Sequence, residues 1–237
     1  MIDRSYLKTI AASLGVPLDE TALERFDRYA QLLVNWNEKI NLTAITDPQE
    51  ICVKHFADSL SLLAKVELAQ GASLIDVGTG AGFPGLALKI ARPDLQVTLL
   101  DSTKKKLMVL EEISQSLDLN VKLLHQRAEE AGQDPAYRER FDVVTARAVA
   151  NLAVLAEYCL PFARVGGRFL AMKSAKTQEE LTGAKKAIAM LGGRLREIHT
   201  LQLETAGERT ILELEKKSPT PALYPRPSAK IARFPLG

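Results

Sequence analysis

The chain has 237 residues, 46% hydrophobic and 25% charged, a composition for one large folded domain or a domain with a small appendage. A net charge of +2 means that only local clusters could speak for nucleic acid, and two cysteines, Cys52 and Cys159, show neither metal spacing nor a disulfide framework. No stretch approaches the ~20 apolar residues of a membrane span, and Met1-Ile2-Asp3-Arg4-Ser5 is too polar for a signal peptide. A soluble, cytoplasmic protein is expected, with no membrane contact.

Residues 1–68 read as helices and as an N-terminal extension. Tyr6, Leu7, Ile10, Ala11 and Leu14 form an apolar stripe closed by Gly15 and Pro17. Thr21-x-x-Glu24 is a capping box ahead of Leu23, Phe26, Ala30 and Leu33. A polar break covers residues 35–43. Asp47-Pro48-Gln49-Glu50 then starts another helix, whose buried face is Val53, Phe56, Leu60 and Leu63.

Residues 73–101 are the stretch around which the rest of the chain is organised. The run Leu74-Ile75-Asp76-Val77 is short and apolar, as a buried parallel strand should be. Gly78, Gly80, Gly82 and Gly85 come next, with Pro84 expected in the first turn of a helix carrying Leu86, Leu88 and Ile90. Residues 97–100 form a second strand ending on Asp101. Glycine lets the backbone approach a ligand closely, and a carboxylate about twenty residues after the turn can accept both hydrogen bonds of a ribose diol. The unit is a nucleoside pocket.

Two cofactor classes fit it. Gly80-Ala81-Gly82-Phe83-Pro84-Gly85 formally matches the dinucleotide fingerprint G-x-G-x-x-G. The overlapping Asp76-x-Gly78-x-Gly80-x-Gly82 instead places a carboxylate just ahead of the turn. That charge repels a pyrophosphate and attracts the cationic end of S-adenosyl-L-methionine, which is therefore favoured, with S-adenosyl-L-homocysteine as product.

After Asp101, Ser102-Thr103-Lys104-Lys105-Lys106 leads into a helix with Leu107, Leu110, Ile113 and Leu117; its lysines face either RNA phosphates or solvent. Strands are expected at 121–124 and 141–144. Arg127-Ala128-Glu129-Glu130 lies between them, where an adenine ring would sit. Thr145-Ala146-Arg147-Ala148 lies at the edge where open α/β sheets bind ligands. A helix through Leu152, Leu155 and Leu160, a strand at 168–172, a helix at 178–191 and a hairpin over 194–203 and 209–215 complete the sheet. A parallel sheet ended by an antiparallel hairpin suits S-adenosylmethionine transferases better than dehydrogenases. The expected fold is α/β, a Rossmann-like, mostly parallel sheet over residues 69–217. A basic, proline-rich tail covers 218–237. From Lys216 onward, Lys216, Lys217, Arg226, Lys230 and Arg233 either meet a phosphate backbone or stay solvated.

Absences narrow the chemistry. The place after the fourth strand lacks the Asn/Asp-Pro-Pro-aromatic loop of exocyclic-amine methylation. Neither cysteine lies where a pyrimidine-attacking nucleophile should. His55, His125 and His199 are scattered. Guanine N7, which already carries a free lone pair, needs only alignment with the methyl donor. Arg147 is the candidate for the acceptor side, since an arginine can donate to guanine O6 or stack on a base. A small-molecule methyltransferase of the same fold remains the alternative.

Asn41-Leu42-Thr43-Ala44-Ile45, His55-Phe56-x-Asp58-Ser59-Leu60, the run Asp76-Val77-Gly78-Thr79-Gly80-Ala81-Gly82-Phe83-Pro84-Gly85, Leu99-Leu100-Asp101-Ser102, Arg127-Ala128-Glu129, Arg147-Ala148 and Tyr224-Pro225-Arg226 occur in this order. Together they resemble the bacterial 16S ribosomal RNA guanine-N7 methyltransferases, the glucose-inhibited division protein B family. The resemblance implies a class I S-adenosylmethionine-dependent methyltransferase fold with a helical N-terminal extension. It implies cofactor contacts at Gly78, Phe83, Asp101, Ala128, Glu129 and Arg147, and a 16S rRNA or small-subunit substrate. The expected cofactor set is these residues with Asp76, Gly80, Gly82, Ser102 and Thr103. The expected RNA set is Lys173, Arg226, Lys230 and Arg233, on a monomer without a metal. Ser174 after Lys173, and the tail after Arg226, depart from the family's usual glycines and proline.

Overall fold

The computed structural model describes residues 1–147, 150–174 and 177–236. Among them one sheet contains β1 (Ser73–Val77), β2 (Gln96–Asp101), β3 (Lys122–His125), β4 (Phe141–Arg147), β5 (Ala163–Ser174), β6 (Gly193–Leu203) and β7 (Gly207–Lys216), in the order β3-β2-β1-β4-β5-β7-β6. β1 to β5 pair in parallel, and β7 runs antiparallel between β5 and β6. The chain leaves β1 towards β2 and β3, then returns to lay β4 on the other side of β1. That switch point opens a crevice at the carboxyl ends of the strands.

The apolar runs mark the strand centres but understate two ends. β4 continues to Arg147, still paired with Met172 of β5. β5 starts at Ala163, opposite Phe141, although Gly166-Gly167 comes soon after. Gly167 passes so close to β4 that a Cβ there would stand 3.0 Å from the carbonyl oxygens of Phe141 and Asp142.

One face of the sheet is covered by α1 (Arg4–Ser13), α2 (Glu20–Asn37), the continuous helical run α3 (Pro48–Glu50), a π-helical turn Ile51–Ala57 and α4 (Asp58–Lys65), and by α5 (Gly85–Ala91) and α6 (Lys104–Ser116). Phe26, Leu33, Phe56 and Leu60 are fully buried in the same core as Leu86 and Leu110, so the N-terminal helices pack onto the sheet layer without a separate core. The other face carries α7 (Ala128–Ala131), α8 (Leu152–Cys159), α9 (Thr177–Met190) and α10 (Ser228–Arg233).

Three local expectations are corrected. The α2 cap is Asp19, whose carboxylate accepts from the Ala22 N–H at 2.7 Å, two residues ahead of the expected Thr21. α2 runs on through Trp36 to Asn37, because Trp36 packs against the core and its indole N–H reaches Glu112 at 3.1 Å. Pro84 caps α5 from outside the first turn, after a cis Phe83–Pro84 bond. No described helix is long and apolar enough to cross a membrane.

Candidate active site

The glycine turn is built downward as well as outward. Asp76 is fully buried beneath it. Its Oδ2 accepts from the Thr79 hydroxyl at 2.7 Å and the Gly85 N–H at 2.9 Å, while Oδ1 has no partner. Burial pushes this carboxyl up to about 6, against the opposing pull of Thr79, Gly85 and Arg147. The Gly78 and Thr79 N–H groups donate to the Leu100 carbonyl at 2.9 and 3.0 Å, which pins the turn to β2. At the tip of β2, Asp101 accepts from the Gly80 N–H (3.0 Å) on one oxygen and from the Thr103 N–H (2.8 Å) on the other.

Beside this turn lies a cavity of about 400 Å³. Gly78, Asp101, Ser102, Thr103, Ala128 and Glu129, all expected at the cofactor, line it together. The remaining expected cofactor residues sit elsewhere. Asp76 lies under the turn. Gly82 faces inward, where an added Cβ would be 2.5 Å from the Tyr29 hydroxyl and 3.0 Å from Leu110. Gly80 serves Asp101 through its N–H. Phe83 is buried between rings, 4.4 Å from His55 and 5.2 Å from Tyr29, centroid to centroid.

A second cluster stands at the end of β4. The Arg147 guanidinium lies over the Phe83 ring, 4.9 Å from its centroid. It donates to Asp58 Oδ2 at 2.9 Å, to the Lys54 carbonyl at 3.1 Å and to His55 Nδ1 at 3.3 Å. The other Asp58 oxygen accepts from Arg209 Nε at 2.8 Å. One buried carboxylate thus ties together the start of α4, β4 and β7. Burial, then Arg147, pulls the His55 pKa down to about 3. Since Nδ1 accepts from Arg147, the neutral ring carries its proton on Nε2 and gives it to Thr43 Oγ1 at 2.8 Å. The Arg147 and Arg209 side chains keep 21% and 22% exposure. Ala148, expected beside Arg147, lies outside the described residues.

The expected RNA set divides. Lys230 and Arg233 are exposed, as are Lys104 and Lys105. Lys173 is buried, donating to the Ala150 carbonyl at 2.6 Å and pairing with Glu180 at 2.7 Å, so its charge is spent inside the fold. Arg226 is likewise corrected. Its guanidinium grips both oxygens of the fully buried Glu157, at 2.8 and 2.7 Å. Lys216, also placed in the basic tail, is fully buried against the Leu160 and Ala163 carbonyls, Thr220 and Glu139, and burial lowers its pKa to about 8. A run of cations among prolines gave no sign of these acidic partners, which lie far away in sequence. Sequence reasoning also missed Tyr158 and Ser228, which line the cavity, and Arg209, hidden in the alternation of a strand. On the far hairpin, Glu197, His199 and Glu213 approach within 4.8 Å of one another, but Arg168 and Arg196 already pair with Glu213.

The family model described as "GidB: rRNA small subunit methyltransferase G" matches residues 22–212. A ribosomal RNA small subunit methyltransferase G from Exiguobacterium sp. is 47% identical over 238 residues, spanning 100% of both chains. The chain belongs to this family. The family's enzyme of the same name from Symbiobacterium thermophilum is 47% identical over 240 residues, covering 98% of each chain. A methyltransferase structure from Pyrococcus furiosus superposes with a TM-score of 0.55 at 15% identity, over 79% of this chain and 98% of that one. A precorrin-6y C5,15-methyltransferase from Geobacter metallireducens gives 0.52 at 16%, over 68% and 86%. These two likenesses are of fold, the class I S-adenosylmethionine-dependent methyltransferase sheet; in this chain N-terminal helices pack onto it. In this chain the Asp58–Arg147 cluster joins the N-terminal helices to the carboxyl end of β4.

Proposed function

We propose that the chain transfers the methyl group of S-adenosyl-L-methionine to N7 of a guanine in 16S rRNA of the small ribosomal subunit. The observation that carries this reading is the nucleoside-sized crevice at the carboxyl ends of β1 to β4, with two arginines and, among the described residues, no available nucleophile at its acceptor edge. Cys52 and Cys159 are wholly buried, and burial raises both thiols, Cys52 to about 12. The one histidine at the edge is held neutral and already hydrogen-bonded on both nitrogens. An acceptor that brings its own lone pair suits such an edge.

The residues present fit the cofactor. The unpartnered Asp76 Oδ1 beneath the turn, with Asp101 at the rim, favours a cationic or donor-rich nucleoside over a pyrophosphate. Gly78, Ser102, Thr103, Ala128 and Glu129 would hold the nucleoside, and Asp101 has lone pairs left for a ribose. When bound, the cofactor supplies a methyl group on a sulfonium. The protein's part is to orient donor and acceptor, which can lower a barrier by ~7–11 kcal/mol. Arg147, steadied by Asp58 and stacked on Phe83, would orient the guanine, and Arg209 shares its carboxylate. Lys230, Arg233, Lys104 and Lys105 are the exposed cations offered to the RNA backbone.

The test is incubation with isotopically labelled methyl donor and either small-subunit rRNA or assembled subunits. Borohydride/aniline cleavage and mass spectrometry of the fragments then locate the label. Label on a guanine at a borohydride-sensitive position is expected, with turnover lost and donor affinity weakened in Asp101→Ala. Label elsewhere, or turnover of small molecules alone, would overturn the assignment.

A further inference from the structure

The C-terminal segment comes after the catalytic sheet, yet it ends at the cofactor cavity. Ser228, the first residue of α10, forms part of the wall, together with Ala128, Glu129 and Tyr158 of α8. The segment is tied there at several points. Arg138, in the loop after α7, donates to the carbonyls of Thr220 (2.6 Å), Pro221 and Tyr224 (2.7 Å). The Gln133 side chain, from the same loop, donates to the carbonyls of Ala222 and Pro225. Tyr224 and Ile231 are buried. Arg226 meets Glu157 through its backbone N–H at 3.0 Å as well as its guanidinium, and also holds the Phe234 carbonyl at 3.0 Å.

These ties have a direction. Arg138 and Gln133 fasten the segment to the loop that comes after Ala128 and Glu129. Glu157 fastens it to the helix position next to Tyr158. The segment therefore bridges the two elements that flank the nucleoside half of the cavity. A chain merely parked on the surface would have no reason to bury a bidentate ion pair, since taking both charges out of water is expensive. We infer that residues 220–233 are a wall of the cofactor site, with Ser228 a direct cofactor contact and Arg226 a positioning residue that sets it through Glu157. The inference rests on the reading of the cavity as the S-adenosylmethionine site. It assigns the tail to donor recognition, where its charge alone suggested RNA.

The experiment uses the full chain with S-adenosylhomocysteine and 5′-methylthioadenosine as probes, in calorimetry and hydrogen exchange. Saturation with either should slow exchange in residues 224–233 together with residues 101–103 and 126–129. Ser228→Leu, which adds bulk to the wall, should weaken both probes about tenfold or more, equally because both carry the nucleoside. In turnover it should raise KM for the methyl donor while kcat stays within about twofold. Arg226→Lys keeps the charge and loses the two-pronged grip, and should show the same KM-weighted loss. Probe binding that protects the glycine turn but leaves 224–233 and the Ser228→Leu affinity unchanged would overturn the inference and spare the cofactor reading. Failure of the wild-type chain to bind either probe would overturn both.

Discussion

At the scale of single residues, the turn's glycines differ in what they tolerate. A Cβ on Gly85 would stand 2.5 Å from Leu99 Cδ2 and 2.8 Å from Asp76 Cβ, both in the packed core. Gly85→Ala should therefore cost ~1–3 kcal/mol by overpacking, read as a lowered urea midpoint, and should displace the Asp76 carboxylate that Gly85 serves. Gly78 has open space for a Cβ but a φ of +72°, so Gly78→Ala bears backbone strain alone and should cost less, ~1–2 kcal/mol. His55 makes a pH prediction. Its folded pKa, about 3, lies below the ordinary 6.5, because burial and Arg147 oppose the charged ring. The unfolded chain takes up this proton first, so the stability His55 contributes is complete above about 6.5 and is lost as pH falls towards 3. In urea unfolding between about pH 7 and 5, wild type should lose up to ~1.4 kcal/mol per pH unit relative to His55→Gln. The sequence showed that Asp76, Gly78 and Asp101 belong together, because spacing carries that information. It could not show that Asp76 points down and Gly78 out, since that depends on what packs beneath the turn.

At the scale of elements, the N-terminal helices act on the cofactor turn through α2. The Tyr29 hydroxyl donates to the Ala81 carbonyl at 2.5 Å, and its ring stacks on Phe83. Tyr29→Phe keeps the stack but strands a buried carbonyl, a loss of ~1–3 kcal/mol. The same hydroxyl is what a Cβ at Gly82 would strike first. Gly82→Ala should thus be less harmful in the Tyr29→Phe background than in wild type, although its φ of +97° keeps part of the cost. A double-mutant cycle by denaturant unfolding should return a coupling of ~0.5–3 kcal/mol; simple additivity would mean that α2 and the turn do not press on one another. The strands were legible from short β-branched runs and the helices from apolar stripes. The helix ends were less so. Asp19 and Thr21 are both good caps by residue type, and only the packing of Ala22 and Leu23 decides between them. Nothing in residues 51–57 announces a π-helical turn, yet that turn carries Lys54 and His55 to Arg147 and leads directly into Asp58.

At the scale of the molecule, the chain's two ends close over opposite faces of one sheet, the first 68 residues on one and the last twenty on the other. The tail was the least legible part, because its composition of prolines and cations is the same whether it is solvated, bound to RNA or folded back. What decides is the acidic and carbonyl partners supplied by distant segments: Glu157, Glu139 and the carbonyls of Leu160 and Ala163. This makes removal of residues 218–237 a sharp test. A solvated tail could be cut with no change in Tm. Here the cut leaves Glu157 buried without its arginine, a loss worth ~3–5 kcal/mol by itself. It also strips Thr220 from the Lys216 ammonium and exposes the surfaces under Tyr224 and Ile231. At ~2–4 °C per kcal/mol for a domain of this size, Tm should fall by at least ~6 °C in a thermal scan. In the uncut chain, replacing Glu157 and Arg226 together by apolar residues of similar length should lower Tm far less than Arg226→Met alone, since a buried ion pair removed as a pair costs far less than one broken in half.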